Sequence, residues 1–345
     1  MLDAMSAELH LQKDFAGKDD SVETIYFGGG TPSLLSGTEI HKLISDARSI
    51  FNLAEDTEIT LEANPDDITE DSLIEWKHAG VNRLSIGIQS FRESDLQWMN
   101  RAHTASQAMD SLRLAVNHFS NITADVIYGI PGLADDEWEL NVKKLVDSGI
   151  QHISCYALTV ESHTPLAKMI RENKLQGTDQ DHQARQFLLL ISWLTAAGFE
   201  HYEISNFARP GYRSRHNSAY WSVGPTGQGK KYLGIGPSAH SYNGTGRQWN
   251  ISNNQQYIRS IESGIVPFTV EELNGVQKKN EYIMTALRTY EGIELARLDA
   301  ADRQRLALAS KVHLERGHLV VSDEHIRLTT EGKLFADGIA ADLFE

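Results

Sequence analysis

The sequence predicts an α/β fold in which a parallel sheet is covered by helices. Short runs rich in β-branched and aromatic residues alternate with amphipathic segments, at a spacing of roughly 25–35 residues. Polar side chains lie in or just after the successive strands, where parallel sheets usually present their functional groups. The length of 345 residues and the hydrophobic content of 41% allow a sizeable core, in one large domain with an appendage or in two domains.

The first half of the chain contains this alternation throughout. An amphipathic helix is predicted over residues 1–15, ahead of the first strand. Strands are then predicted at residues 22–27, 58–62, 83–88, 122–128 and 152–158. Helices are predicted between them at residues 37–51, 69–78, 94–100, 106–119 and 135–148. This order is typical of parallel strands joined by helical crossovers.

The pattern changes in the second half, and we divide the chain there. A long helix (179–197) and a strand (201–207) precede a loop-rich stretch (208–231), a Gly-rich strand and turn (232–241) and a polar connector (245–270). Helices at 282–287 and 303–315, a hairpin at 318–328 and a last helix at 333–343 predict a small winged-helix-like α+β module. The predicted divisions are residues 1–175 (barrel core), 176–270 (barrel extension) and 271–345 (C-terminal module).

Composition excludes several classes of function. The net charge of −15 argues against nucleic acid and anionic membrane surfaces as partners. No apolar run approaches the ~18 residues of a membrane span, so we expect a cytoplasmic protein that is not integral to a membrane. Cys155 is the single cysteine, which excludes a disulfide framework and an all-cysteine metal site built from these residues.

A glycine loop follows the first predicted strand. Gly28, Gly29 and Gly30 permit a sharp turn and close approach of a ligand to the backbone, and Thr31 adds a hydroxyl. A tight strand-to-helix turn that binds nothing explains the same residues equally well, because a triple glycine is not specific.

Polar residues near the ends of successive strands favour a shared site. If the strands are parallel, these residues gather at one edge of the sheet, although each alone is typical of a solvated loop. They are Thr31, Glu62, Gln89, Asp125, Tyr156 and Glu161.

His216 begins the segment His-Asn-Ser-Ala-Tyr-Trp. A lone histidine is usually a surface or core residue. Tyr220 and Trp221 offer an apolar wall for a flat ligand, and an imidazole can ligate haem iron. Both interpretations stay open on these residues alone.

Several segments together carry a family resemblance. In this order they closely resemble the oxygen-independent coproporphyrinogen III oxidase-like family of radical-SAM proteins, and its haem-chaperone branch above all, over nearly the whole chain. The segments are Tyr26-Phe-Gly-Gly-Gly-Thr-Pro-Ser-Leu-Leu35, Leu61-Glu-Ala-Asn-Pro65, Ser85-Ile-Gly-Ile-Gln-Ser-Phe91, Asn100-Arg-Ala-His103, Asp125-Val-Ile-Tyr-Gly-Ile-Pro-Gly132, His216-Asn-Ser-Ala-Tyr-Trp221 and Gly234-Ile-Gly-Pro-Ser-Ala-His240.

The resemblance implies a partial (β/α)6 radical-SAM barrel that binds S-adenosylmethionine (SAM) at the carboxyl ends of its strands. It implies haem binding at His216 and delivery of haem to an acceptor protein that the sequence does not name, and it allows a homodimer. It assigns no catalytic residue in this chain. The implied SAM-binding residues are Gly29, Gly30, Thr31, Glu62, Gln89, Arg101, Asp125 and, beside the adenosine, Ala157.

The departure from the family lies at the start of the sequence. The family opens with a strand and a Cys-x3-Cys-x2-Cys loop that holds a [4Fe–4S] cluster, whereas this sequence begins within what resembles the following helix. We therefore expect a barrel missing its first strand, and a polypeptide that cannot bind the cluster as given, since three thiolates are needed. We favour a truncated sequence over a cluster-free homologue, and an in-frame Cys-x3-Cys-x2-Cys upstream of Met1 would identify truncation.

Two other functions stay open at this point. One is an oxygen-independent coproporphyrinogen III oxidase-like enzyme of porphyrin biosynthesis, which the His216 segment disfavours. The other is a non-catalytic binding protein that needs neither haem nor cluster.

Overall fold

The main sheet contains five parallel strands in chain order. The computed structural model describes residues 1–17, 20–162, 164–226 and 229–345. The parallel strands are β1 (Ser21–Phe27), β2 (Asn52–Ala63), β3 (Arg83–Gln89), β4 (Ile122–Tyr128) and β5 (His152–Ala157). Each pairs with the next, so β1 forms one edge of the sheet. The predicted parallel arrangement is confirmed, although β2 is longer than predicted.

Helices connect these strands and cover one face of the sheet. Capping boxes at Ser36, Thr69 and Thr104 begin three of them, and left-handed Gly80 ends the helix that Thr69 begins. The helices are α1 (Leu2–Leu11), α2 (Gly37–Ile50), α3 (Glu70–Ala79), α4 (Glu93–Trp98), α5 (Ala105–His118), α6 (Asp135–Asp147), α7 (Pro165–Arg171) and α8 (Gln180–Ala196). No helix among the described residues is long and apolar enough to cross a bilayer.

The two faces of the sheet differ in polarity because side chains alternate along each strand. The apolar face packs against the helices in the main core, and includes Ile59, Leu61, Leu84, Ile86, Ala124 and Val126. The opposite face is polar, and includes Glu58, Thr60, Glu62, Arg83, Ser85, Thr123 and Asp125. The sheet therefore has a polar inner face that is free to build a site.

The prediction of one strand at residues 201–207 is wrong. Two short strands, β6 (Glu200–Glu203) and β7 (Asn206–Ala208), pair antiparallel and complete the order β1-β2-β3-β4-β5-β7-β6. The Glu203 carboxylate accepts hydrogen bonds from the Ser205 backbone N–H and the Asn206 amide, and so stabilises the turn between them. Helix α9 (Arg215–Trp221) follows in the loop-rich stretch, of which Gly227 and Gln228 lie outside the described residues.

The prediction of a polar connector at residues 245–270 is also wrong. A second sheet of order β10-β9-β8 forms there, because half-exposed antiparallel strands tolerate polar sequence. Asn243 accepts backbone hydrogen bonds in the turn before β9, and Asn253 caps the helix. The elements are β8 (His240–Tyr242), β9 (Gly246–Asn250), α10 (Asn254–Glu262) and β10 (Phe268–Glu272).

The C-terminal residues form a third sheet with its own core. The predicted hairpin is confirmed, but the helix predicted at 303–315 divides at Ser310, whose hydroxyl donates to the Leu306 carbonyl. Leu287, Leu306, Ile326 and Leu343 pack in a cluster separate from the main core. The elements are α11 (Gly275–Leu287), β11 (Ile293–Glu294), α12 (Ala300–Ala309), α13 (Lys311–Glu315), β12 (Leu319–Ser322), β13 (His325–Leu328) and α14 (Ala336–Asp342). The division of the chain at residues 175 and 270 stays a prediction.

A buried carboxylate attaches α9 to the polar face of the sheet. Glu58 on β2 is 6% exposed, and its two oxygens accept the backbone N–H groups of Arg215 and His216 at 3.1 and 3.0 Å. The Arg83 guanidinium lies 3.9 Å away and supplies the opposite charge. The first turn of α9 thus has two of its free N–H groups satisfied by one side chain.

We predict that Glu58→Gln lowers the free energy of unfolding by about 3 kcal/mol, because it leaves the buried Arg83 guanidinium without a charged partner. Urea unfolding followed by circular dichroism measures the change. Glu23→Gln on the neighbouring strand is the matched control, since its pairs with Lys230 and Arg215 are exposed and are worth less than about 1 kcal/mol. Equal losses in the two variants would contradict the prediction.

Candidate functional site

A cavity of about 300 Å³ lies at the carboxyl edge of the parallel strands. Residues from all five parallel strands or the loops after them contribute to its wall, together with Arg101. The lining residues are Gly30, Thr31, Pro32, Ser33, Glu62, Ala63, Asn64, Ser85, Gly87, Gln89, Arg101, Asp125 and Tyr156. Thr31, Glu62, Gln89, Asp125 and Tyr156 therefore meet as predicted, whereas Glu161 is not among these residues.

The glycine loop forms one wall, and its geometry requires glycine. Gly29 and Gly30 have φ angles of 79° and 67°, in the left-handed region that other residues rarely adopt. A Cβ on Gly28 would lie 2.5 Å from the Tyr26 ring and 2.9 Å from Glu62 Oε1. The loop is thus both a tight turn and a cavity wall, and its binding of a ligand stays a prediction.

Glu62 holds this loop in place. Its Oε2 accepts the Gly29 N–H at 3.0 Å, and its Oε1 accepts the Tyr26 hydroxyl at 2.7 Å. A carboxylate has about four lone-pair sites, so Glu62 can still accept hydrogen bonds from a ligand in the cavity.

Arg101 also lines the cavity. One of its Nη atoms donates to Asn64 Oδ1 at 2.8 Å, and its Nε is buried without a hydrogen-bond partner in the described part of the chain. Gln89 has a left-handed φ of 63°, and a Cβ on Gly87 would lie 2.9 Å from its Nε2. Sequence reasoning missed Asn64 and Gly87 as site residues, although both stand inside segments that carried the resemblance.

Asp125 is the carboxylate at the back of the cavity. Burial raises its pKa to about 6, against the lowering effect of hydrogen bonds from Ser154 and Ser85, whose hydroxyl lies 3.0 Å from Asp125 Oδ2. The negative charge of Glu62 raises it further. Because this pKa is below 7, the carboxylate is mostly ionised at neutral pH. Its ionisation in the folded protein lowers the free energy of unfolding, since the unfolded chain ionises more easily.

Ala157 lies next to a lining residue but is not one itself. Tyr156 faces the cavity and is 45% exposed, and alternation along β5 turns the Ala157 side chain away from that face. The assignment of Ala157 to the adenosine stays a prediction.

His216 lies on α9, against the edge strand. Its ring stacks on Tyr26 with centroids 4.4 Å apart, and Tyr220 meets it edge-on at 5.2 Å. Burial, with a smaller effect of the Arg83 charge, lowers the pKa of His216 to about 4, so the ring is neutral at pH 7. Trp221 instead lines a second cavity of about 350 Å³ that faces the C-terminal residues. Tyr220 and Trp221 therefore do not form one apolar wall beside His216, as the sequence suggested, because only Tyr220 contacts its ring.

The described residues offer no ligand set for an iron–sulfur cluster. No group of three or more His, Cys, Asp or Glu side chains in this part of the chain is placed to hold a metal. Cys155 is buried, and burial raises the pKa of its thiol well above the usual value, which disfavours a thiolate.

Comparison with known proteins identifies the family. The model of the radical SAM superfamily matches residues 7–172. The haem chaperone HemW of Mycobacterium tuberculosis (strain H37Rv) is 36% identical over 344 residues, which cover 99% of this chain and 85% of that protein. The chain belongs to the HemW family of radical SAM proteins. HemW of Bacillus subtilis (strain 168) is similar at 31% identity, over 98% of this chain and 89% of that protein.

A solved structure supports the same fold. The coproporphyrinogen III oxidase HemN of Escherichia coli, a radical SAM enzyme, superposes with a TM-score of 0.82 over 99% of this chain and 82% of that one, at 23% identity. This likeness shows the radical SAM half-barrel fold alone. The family resemblance drawn from the motifs is thus confirmed by sequence, and the partial α/β barrel by structure.

We predict that Asp125→Asn stabilises the protein at about pH 8 by roughly 1–3 kcal/mol, because a raised pKa means that ionisation disfavours the folded state. The gain should shrink as the pH falls through 6 towards 4, where the wild-type carboxyl holds its proton in the folded protein. Urea unfolding at both ends of this range measures it. The control is Asp110→Asn, at an exposed carboxylate on α5, which should change stability by less than about 0.5 kcal/mol at either pH. A pH-independent effect of Asp125→Asn would contradict the prediction.

Proposed function

We propose that this chain is a haem chaperone of the HemW kind, which binds haem through His216 and passes it to an acceptor haem protein. Membership of a family whose curated relatives are named haem chaperones supports this function. The observation that carries it is the state of His216: a neutral ring fixed between two tyrosines, with Nε2 free of hydrogen bonds to described residues and not fully buried. A neutral imidazole nitrogen is a haem-iron ligand. The predicted cytoplasmic location and homodimer belong to the same proposal.

The cavity at the sheet edge is proposed to bind SAM. The methionine part of SAM carries an ammonium and a carboxylate, which need an acceptor and a donor close together, and Glu62 and Arg101 provide one each. The Nε–H of Arg101, which has no partner among the residues that the structure describes, is a donor that a ligand carboxylate can satisfy. With Asp125 ionised, the cavity residues carry two negative charges and one positive charge, which complements the net positive charge of SAM with its sulfonium.

We further propose that these 345 residues alone do not hold the [4Fe–4S] cluster that the family implies. The sequence contains one cysteine, and that thiol is buried. In the family the cluster supplies an iron site for SAM and its reductive cleavage. The proposed role of the residues present is therefore binding of SAM and haem, without radical chemistry.

We expect His216→Ala to weaken haem binding by about tenfold or more, since it removes the iron ligand. A Soret absorbance titration of the full chain measures the affinity. His10→Ala, which removes a histidine on α1 away from the sheet, is the control and should bind as wild type. Unchanged affinity in His216→Ala would contradict the assignment of the ligand, and no haem binding by wild type would favour the non-catalytic alternative.

Arg101→Ala should lower SAM affinity by about tenfold or more, because charge-assisted hydrogen bonds contribute roughly 1.5–3 kcal/mol. Equilibrium dialysis with labelled SAM measures this in the purified full chain. Arg113→Ala is matched in chemistry but lies on the exposed face of α5, so it should bind SAM as wild type does. The SAM assignment fails if wild type does not bind, or if both variants lose affinity equally.

A further inference from the structure

We infer that Thr24, on the edge strand β1, is a positioning residue that holds the Nδ1–H of His216 and leaves Nε2 as the atom that ligates haem iron. The inference rests on the proposed haem function. It adds a residue that neither the motifs nor the comparisons assign to this site.

One hydrogen bond joins the two side chains. Thr24 Oγ1 lies 3.0 Å from His216 Nδ1, across 192 positions of sequence. Nε2 has no partner among the described residues and keeps some contact with solvent. The two nitrogens of one ring are therefore already distinguished, one bound to the protein and one open.

The ring cannot easily rotate about its Cβ–Cγ bond, a motion that would replace Nδ1 by Cδ2 beside Thr24. Tyr26 stacks on it at an interplanar angle of 16°, and Tyr220 packs against its edge. The helix that carries it is fixed by Glu58, which accepts the backbone N–H groups of Arg215 and His216 itself. Nδ1 therefore faces Thr24 whenever α9 is seated on the sheet.

The chemistry of imidazole gives this contact a consequence. In a neutral histidine one nitrogen donates and the other accepts, so the partner of one nitrogen decides what the other can do. If Nδ1–H donates to Thr24 Oγ1, Nε2 keeps its lone pair for iron. Metal-bound histidines almost always donate their second N–H to a protein acceptor or water, and removing that acceptor typically costs 10–100-fold in affinity.

The groups packed around the ring come from β1, β2, β3 and α9, and the closest are Thr24, Tyr26, Glu58, Arg83 and Tyr220. Glu58 contacts the backbone N–H of His216, whereas the side chain that contacts ring Nδ1 is Thr24.

Two substitutions separate the hydroxyl from the shape of the residue. Thr24→Val keeps the branched shape and removes the acceptor, and should weaken haem binding by about 10–100-fold in the Soret titration. Thr24→Ser keeps the hydroxyl and should stay within about threefold of wild type. Thr60→Val is the matched control, because Thr60 is buried on β2 beside Tyr26 and its hydroxyl has no partner in the described structure; its affinity should not change.

A second readout needs no haem. Long-range ¹⁵N–¹H NMR of the histidine-labelled protein, with His216→Gln to assign the signal, should show the proton on Nδ1 in wild type and Thr24→Ser, and movement towards Nε2 in Thr24→Val. Equal haem affinity in Thr24→Val and wild type, or equal loss in Thr24→Ser and Thr24→Val, overturns the inference. If His216→Ala binds haem normally, the proposed function fails instead, and the NMR tautomer still decides the role of Thr24.

Discussion

The carboxylate of Glu58 is the interaction on which the arrangement of the polar face depends. It lies on β2, next to the edge strand, and it binds the first turn of a helix more than 150 residues further along the chain. Arg215 also donates to the backbone and carboxylate oxygens of Asp56, but that contact is exposed, so Glu58 is the buried acceptor that holds α9 beside β1, where His216 stacks on Tyr26. A buried ion pair is weak as a source of stability. Here the same carboxylate fixes a position, because it is an acceptor for two specific N–H groups.

Tyr26 extends this arrangement from the helix to the cavity. Its ring stacks on His216, while its hydroxyl donates to Glu62, which in turn accepts the Gly29 N–H of the glycine loop. One side chain therefore touches both the histidine and the carboxylate that lines the cavity. Burial and the neighbouring carboxylates raise the pKa of Tyr26, so its hydroxyl stays protonated and remains a donor. The two candidate sites are adjacent because alternate residues of β1 face the same side of the sheet.

The sequence predicted the parallel part of the fold because its signals are local. Strand runs, caps such as Ser36 and glycine turns all act within a few residues, and polar residues after parallel strands must meet at one edge. The second half was predicted less well. The hairpin at Glu203–Asn206 depends on one side chain reaching back to a turn, and the strands around residue 248 look like a connector because their exposed faces are polar. No periodicity could reveal the contact between Thr24 and His216, or that Asn64 and Gly87 shape the cavity, since those depend on how distant segments pack.

A chain of buried hydrogen bonds runs across the polar face near the amino ends of the strands. Arg83 donates to Thr123, Thr123 bonds to His152 Nδ1 at 3.0 Å, and His152 Nε2 lies 2.7 Å from the Tyr202 hydroxyl. Burial lowers the pKa of His152 well below its usual value, so its ring is neutral. Arg83 is then the charged group in this chain of hydrogen bonds, and Glu58 supplies the opposite charge. Apolar side chains of the same volume would often be more stable. Further along the same face, Glu62, Ser85 and Asp125 line the cavity at the carboxyl ends of the strands. A close-packed apolar layer there would offer a ligand neither space nor hydrogen-bond partners. Stability given up along the polar face is therefore the physical condition for having a site there.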